Sequence, residues 1–124
     1  MDVVNLAEKF ARFSDHWSPK IAGELNDCYV KLAKFRGEFV WHHHEAEDEL
    51  FLVVAGTMRM HFRERDGTER QALVRPGEFC IVPRGMEHKP SSDDEVQVLL
   101  LEPKTTLNTG NVRNQRTVTD LERI

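Results

Sequence analysis

The spacing of hydrophobic positions changes along the chain. Near the N-terminus, five apolar side chains recur three or four positions apart, and polar side chains lie between them: Val3, Leu6, Ala7, Phe10 and Phe13. This spacing predicts a short amphipathic helix over residues 3–13. A Ser-Asp pair and then a Ser-Pro pair at residues 18 and 19 break the pattern.

From residue 28 onward, short runs rich in β-branched and aromatic residues alternate with turn residues. Asp66-Gly67 lies between two alternating runs and predicts a hairpin. The polar segment SSDD at residues 91–94 predicts a further turn. At least six strands are expected, which favours an antiparallel sandwich or barrel. The main strand runs are CYVKLAKF (28–35), EFVWHHH (38–44), ELFLVVA (49–55), TMRMHFRER (57–65), ALVRPGEFCIVPRGMEH (72–88) and EVQVLLLE (95–102).

The 124 residues predict a single domain. Residues 1–20 form a helix and an arm in this interpretation, and residues 28–103 form the β-rich body. Residues 104–124 form a polar tail with few apolar anchors. We expect this tail to lie across the body or across a neighbouring subunit.

Charge and composition narrow the function classes. The chain has 17 basic and 21 acidic residues, a net charge of -4, and no block rich in lysine and arginine. A nucleic-acid partner is therefore not expected. No apolar run reaches the roughly 18 residues of a membrane span, and the N-terminus lacks the pattern of a secretory signal. The two cysteines, Cys28 and Cys80, are interpreted as reduced thiols of a cytoplasmic protein.

Three consecutive histidines precede an acidic segment in WHHHEAEDEL. Side chains alternate between the faces of a strand, so His42 and His44 point one way and His43 points the other. Two imidazoles on one face and a carboxylate from the next strand, near Glu49, suit a divalent first-row metal. His88 follows a tight turn and supplies a third imidazole if its loop returns to the same place.

At this point the chain resembles the small single-domain members of the cupin superfamily. The first cupin motif, His-x-His, three or four residues, Glu, six residues and Gly, matches His42, His44, Glu49 and Gly56. The second motif is Gly, five residues, Pro, one residue, Gly, two residues and His. It matches a set that ends at His88, namely Gly77, Pro83, Gly85 and His88. Two motifs in the correct order span residues 37–92, and neighbouring strands extend the likeness to about 28–103.

Two positions depart from the family pattern. The opening glycine, Gly37, lies one residue closer to the first histidine than is usual. Counting from it would select His43, but the spacing to Gly56 would then fail. The closing asparagine of the second motif is Ser92 here, which affects a turn rather than the ligands.

The resemblance implies an all-β double-stranded β-helix, or jelly-roll barrel, with a short N-terminal helix. It also implies a divalent transition metal (Fe, Mn, Ni, Zn or Cu) bound inside by His42, His44, Glu49 and His88. Cupins of this size commonly form homodimers, and a homodimer is expected here. The pattern is similar to chains described as mannose-6-phosphate-isomerase-like cupins, although no arginine clamp for a sugar phosphate is found.

The remaining candidates are interpreted more plainly. His43 is expected to be solvated or at a subunit contact, and His61 to be an exposed strand histidine. Glu45, Glu47 and Asp48 are expected to form a solvated acidic loop. Three residues are weak candidates for protein acid–base catalysis near the site: Glu87, Lys89 and Tyr29.

Fold does not select a reaction. The first hypothesis is a metal-dependent enzyme, of oxygenase or isomerase type, that acts on a small substrate with oxygen ligands. The alternative is a non-catalytic cupin that binds a small molecule and uses the metal for structure or ligand capture.

Overall fold

A computed structural model describes residues 1–124, and its architecture is almost entirely β. One short helix precedes seven strands. Their bounds are α1 Leu6–Phe10, β1 Lys20–Leu25, β2 Cys28–Glu38, β3 Glu49–Ala55, β4 Met58–Arg63, β5 Glu69–Val74, β6 Phe79–Val82 and β7 His88–Pro103. The all-β class predicted from the sequence is therefore confirmed. No helix is long and apolar enough to cross a membrane.

All seven strands belong to one antiparallel sheet, ordered β1-β2-β7-β3-β6, with β4 pairing with both β5 and β7. The long strand β7 is the hub, because β2, β3 and β4 all pair with it. The hydrogen-bonded path ends at β1 and β6. The sheet is consistent with a jelly roll, but it does not close into the expected barrel.

The inner face of the sheet carries the core, because alternate residues of each strand point inward. In β7, for example, Val96, Val98 and Leu100 are buried, whereas Gln97 and Leu99 are partly exposed. Trp17 joins this core from the arm. The core therefore fills the concave side of the sheet and extends to the N-terminal segment.

The helix is shorter than the predicted 3–13. Asn5 caps its start, since the backbone N–H of Glu8 donates to Asn5 Oδ1 at 2.9 Å. Phe10 is fully buried, while Val3 and Val4 are exposed. A five-residue helix cannot stabilise itself, so only the turn that packs on the sheet persists.

The strand β1 was not expected from the sequence. Its first residue, Lys20, is a buried charged side chain and Gly23 interrupts its pattern, so alternation is weak there. A two-residue turn at Asn26 and Asp27 joins β1 to β2, and Asn26 adopts a left-handed φ of 51°.

Two other predictions about strands were wrong. The run EFVWHHH is not a strand: β2 ends at Glu38, and residues 39–48 form an irregular connection with one bridge, His42 to His88. The polar segment 91–94 is not a turn but lies within β7. There, Ser91 and Ser92 pair with the end of β2, and the ladder hydrogen bonds outweigh the turn preference of the side chains.

The tail lies across its own domain, the first of the two expected alternatives. Asn111 exchanges hydrogen bonds with His43, with its N–H donating to the His43 carbonyl at 3.1 Å. Gly110 passes so close that an added Cβ would lie 2.2 Å from that carbonyl oxygen. Near the end of the chain, Arg123 forms a bridge with Ile21 of β1.

We expect Gly56→Ala to destabilise the protein more than Gly77→Ala. Both glycines have positive φ, 82° and 84°, so both substitutions incur a left-handed penalty of about 1–2 kcal/mol. Only at Gly56 does an added Cβ meet backbone, 2.6 Å from the Glu95 carbonyl oxygen. Overpacking there adds about 1–3 kcal/mol. Urea unfolding measures the difference, and equal losses for the two variants would show that the close approach is unimportant.

Candidate metal centre

Four buried side chains from three parts of the chain meet at one point: His42, His44, Glu49 and His88. The histidines of the first pair lie on the irregular connection, Glu49 opens β3, and His88 opens β7. Their potential ligand atoms all lie within 4.8 Å of one another. Each residue is at most 4% exposed. These are the residues that the motif spacing selected.

The backbone fixes two of the imidazoles. His42 and His88 exchange reciprocal backbone hydrogen bonds of 3.1 and 2.9 Å. Each ring also places Nδ1 2.8 Å from a backbone carbonyl, Val40 for His42 and Met86 for His88. A carbonyl only accepts hydrogen bonds, so the neutral ring carries its proton on Nδ1. The Nε2 lone pair is then directed into the cluster, as in metal-binding histidines.

Glu49 lies among these lone pairs. Its Oε1 is 3.1 Å from His88 Nε2 and 2.7 Å from His44 Nε2. The approach to His44 lacks hydrogen-bond geometry, so both ring nitrogens of His44 are buried without a partner. Unpartnered buried polar atoms are costly. A cation at the centre of the cluster would accept one ligand atom from each of the four residues, including one His44 nitrogen, and the donor set therefore fits a divalent transition metal.

The pKa values favour the ligand forms of these groups. Burial, with repulsion from His88, lowers the pKa of His42 to about 4, so this ring is neutral at neutral pH. Burial alone would raise the pKa of Glu49. Its contacts with Glu102, His44 and His88 outweigh burial and hold that pKa well below the usual range. A neutral imidazole and an ionised carboxylate are the forms that bind a metal.

A second buried pair, Lys31 and Glu102, lies next to Glu49. Lys31 Nζ lies 2.7 Å from Glu102 Oε1, and both side chains are 2% exposed. Burial and the neighbouring charge of Glu49 raise the pKa of Glu102 well above its usual range. Of the two carboxyls, Glu102 is therefore the one that is more readily protonated. Oε2 of Glu102 has no hydrogen-bond partner.

Sequence reasoning missed Lys31 and Glu102, although a signal was present. Glu102 is the next alternate residue after Val96, Val98 and Leu100, so it lies on the inward face of β7. Lys31 lies on the inward face of β2 in the same way, two residues before Ala33 and four before Phe35. Charged residues on the inward face of a strand are buried, and they are then paired with each other or belong to a binding site.

A cavity adjoins the cluster on one side. His42, Glu49 and Glu102 form its polar end. Its walls are mostly apolar and include Trp17, Phe35, Phe39, Phe51 and Leu100. A small ligand in this cavity would contact both the metal ligands and an aromatic wall, the usual composition of a ligand pocket.

The three weak acid–base candidates lie outside the lining of this cavity. Glu87 binds His43 Nδ1 at 2.9 Å, and Lys89 pairs with Glu38 at 3.3 Å. Tyr29 lies beneath Lys104, whose Nζ is 5.3 Å from the ring centroid. All three are therefore engaged elsewhere.

The other polar candidates also lie outside the four-residue cluster. His43 is half-buried, and its hydrogen bonds to Glu45 and Glu87 raise its pKa. His61 lies on β4, and its Nε2 is 2.9 Å from Ser91 Oγ. In the acidic loop, Asp48 accepts from the backbone N–H of Arg84 at 2.8 Å, which ties the loop to the turn before His88.

Comparison with known proteins agrees with this geometry. The family profile described as "Cupin domain" matches residues 29–102. An uncharacterized protein YdbB of Bacillus subtilis (strain 168) is 35% identical over 85 residues. That match spans 68% of this chain and 66% of the relative, just under two thirds of its length.

Solved structures show the same fold. A cupin-2 domain containing protein from Shewanella frigidimarina NCIMB 400 has 40% identity and a TM-score of 0.77, covering 82% of this chain and 95% of that one. A hydroquinone 1,2-dioxygenase from Sphingomonas sp. TTNP3 with 4-hydroxybenzoate bound has 20% identity and a TM-score of 0.74. It covers 84% of this chain and 32% of that one, a likeness of fold alone.

The inward-facing cluster and the antiparallel sheet define a β protein with a candidate metal centre. With the family profile matched over more than half of its length, the chain belongs to the cupin family.

We expect Lys31→Met to destabilise the protein by about 1–3 kcal/mol, because it leaves the buried Oε1 of Glu102 without its hydrogen-bond donor. The double variant Lys31→Met/Glu102→Leu should recover most of this loss. Lys104→Met is the matched control, since the Lys104–Glu24 pair has the same kind of contact on the surface and should matter little. Chemical denaturation compares the variants. Equal effects of the two lysine substitutions would contradict the role of burial.

Proposed function

We propose that this chain is a metal-dependent enzyme of the small cupin type, with a divalent transition metal held by His42, His44, Glu49 and His88. The observation that carries the proposal is the cluster of four buried residues whose potential ligand atoms all lie within 4.8 Å of one another, with both ring nitrogens of His44 unpartnered. The metal would act as a Lewis acid or as a centre for oxygen activation on a small substrate with oxygen ligands.

The protein groups around the centre have separable tasks in this proposal. His42 and His88 are oriented by their carbonyl partners, and Glu49 supplies the negative charge. The apolar walls exclude water from the substrate. Glu102 lies at the polar end of the cavity with a free oxygen, Oε2, and its raised pKa suits it to hold a proton or donate one to a substrate.

A specific observation also favours the alternative, a cupin that binds a small molecule without turnover. Glu87, Lys89 and Tyr29 all lie outside the cavity, which leaves Glu102 as the only acid–base group there beyond the proposed ligands. Glu102 is in turn tied to Lys31. The metal would then serve structure or ligand capture.

We expect His44→Ala to lose most of its bound metal, because one of four donors is removed. His61→Ala is the matched control, since His61 lies on β4 and bonds to Ser91 instead of the cluster. Elemental analysis after metal loading and desalting measures both variants. Equal metal content in wild type and His44→Ala would exclude this ligand set.

The enzymatic part of the proposal is tested by turnover. Protein loaded anaerobically with Fe(II) is mixed with oxygen and a panel of small diketones, catechols and thiols, and oxygen consumption is recorded. We expect consumption with one class of substrate in wild type and His61→Ala, and none in His44→Ala. Tight ligand binding without turnover, for any metal and any substrate class, would favour the binding protein instead.

A further inference from the structure

Part of the lining of the metal cavity comes from segments that lie outside the matched cupin domain. The family match covers residues 29–102. Trp17 and Pro19 come from the N-terminal arm, and Asn108 comes from the tail. The cavity is therefore lined partly by the matched domain, which supplies the candidate metal ligands, and partly by its flanking segments.

Trp17 is the largest of these three flanking residues, and several contacts hold it in place. Its ring is stacked on Phe35 with centroids 4.4 Å apart and on Phe39 with centroids 4.8 Å apart. The indole N–H donates to the Arg36 carbonyl at 3.0 Å, and the backbone N–H donates to the Lys34 carbonyl at 2.9 Å. The indole therefore occupies the aromatic wall next to the metal ligands in one fixed orientation.

The backbone at Trp17 is held in an unfavourable conformation. Its φ is 60°, in the left-handed region that bulky residues rarely adopt. Such a conformation persists where the surroundings over-determine it, and these positions concentrate at functional sites. Here the buried Lys20, which follows Pro19 in sequence, holds the arm in place. Its Nζ lies 2.8 Å from Asp15 of the arm and 3.3 Å from Glu122 of the tail.

The space left beside the indole is small. Room for the centres of water molecules amounts to about 30 Å³. One water requires about 10–15 Å³ by this measure, so the cavity holds two or three water-sized groups. With Trp17 in place, a ligand of a few heavy atoms fits and a six-membered ring does not.

We propose that Trp17 is a specificity-determining residue that limits the metal centre to compact oxygen-donor ligands, such as small carboxylates, and excludes aromatic rings. The proposal rests on the proposed metal function. Removal of the indole would expose Phe35 and Phe39 as a slot for a planar ring. A larger aromatic ligand should then gain more than a small one.

The test compares two probes, acetate and 4-nitrocatechol, titrated by absorption spectroscopy into Co(II)-loaded protein. In Trp17→Ala, the Kd for 4-nitrocatechol should fall by about tenfold or more, the scale on which pockets discriminate by size, while the Kd for acetate changes little. Trp41→Ala is the matched control. Trp41 stacks on Arg63 outside the cavity lining, with 4.0 Å from its ring centroid to the guanidinium carbon, and this variant should keep the wild-type ratio of the two Kd values.

An unchanged ratio in Trp17→Ala would overturn the proposal, as would an equal gain for both probes. Trp17→Leu retains an apolar anchor and should give an intermediate shift, so it serves if the alanine variant does not fold. Failure of both variants to fold would show that Trp17 is structural and would also overturn the proposal. Cobalt content, measured first, separates the two hypotheses. Wild type without cobalt contradicts the metal function and this inference with it, whereas equal cobalt in all variants restricts a negative result to Trp17.

Discussion

The carboxylate of Glu49 is buried among three imidazoles, and the interior is arranged around its charge. Burial of an unpaired carboxylate costs several kcal/mol, yet Glu49 keeps a pKa well below its usual range. Its neighbours explain this, because the contacts with Glu102, His44 and His88 lower that pKa, and Lys31 lies against Glu102. The three histidines remain as electron-pair donors around the charge. This arrangement is unfavourable for a protein without a cation and favourable for one that binds it.

The same carboxylate reveals how the sheet is shaped. Glu49 contacts His88 at the first residue of β7 and also lies beside Glu102, close to the last residue of that strand. Fourteen residue steps of extended strand span about 46 Å at roughly 3.3 Å each. Both ends can reach one side chain only if β7 curls. Register shifts in its partners, between Phe35 and Gly37 and between Val53 and Ala55, provide the bends. The sheet therefore wraps its core although its hydrogen-bonded path stays open.

Spacing along the sequence selected the four clustered residues because the cupin motifs encode local geometry. His42 and His44 project to the same side, as alternation predicted, but for a different reason. Their segment is not a strand, and a single bridge to His88 together with the contact between its ring and the Val40 carbonyl orients His42 instead. The all-β class followed from short alternating runs. The strand β1 could not be predicted in this way, because its own alternation is weak and its pairing with β2 and its bridge to Arg123 stabilise it.

The buried Lys31–Glu102 pair and Trp17 were missed for related reasons. A lysine in KLAKF and a glutamate at the end of LLLE resemble ordinary solvent-facing ends of strands until the register places Lys31 opposite Leu100. Trp17 lies in a segment without periodicity, and only tertiary contacts with Phe35 and Phe39 give it a place. Periodicity detects residues whose burial follows the repeat of a helix or strand. The burial of Lys31, Glu102 and Trp17 depends instead on which distant residues the curled sheet places opposite them.

The matched cupin domain and the segments that flank it contribute differently to the site. The donors lie within the matched domain, and a common fold supports many functions. The arm and the tail lie outside it, and they are fastened to each other through Lys20, which pairs with both Asp15 and Glu122. Trp17 and Pro19 of the arm and Asn108 of the tail line the cavity, so a substitution at one of them alters its wall and keeps all four donor residues. Such an arrangement allows ligand selection to diverge while the buried charge balance around Glu49, which the fold requires, is preserved.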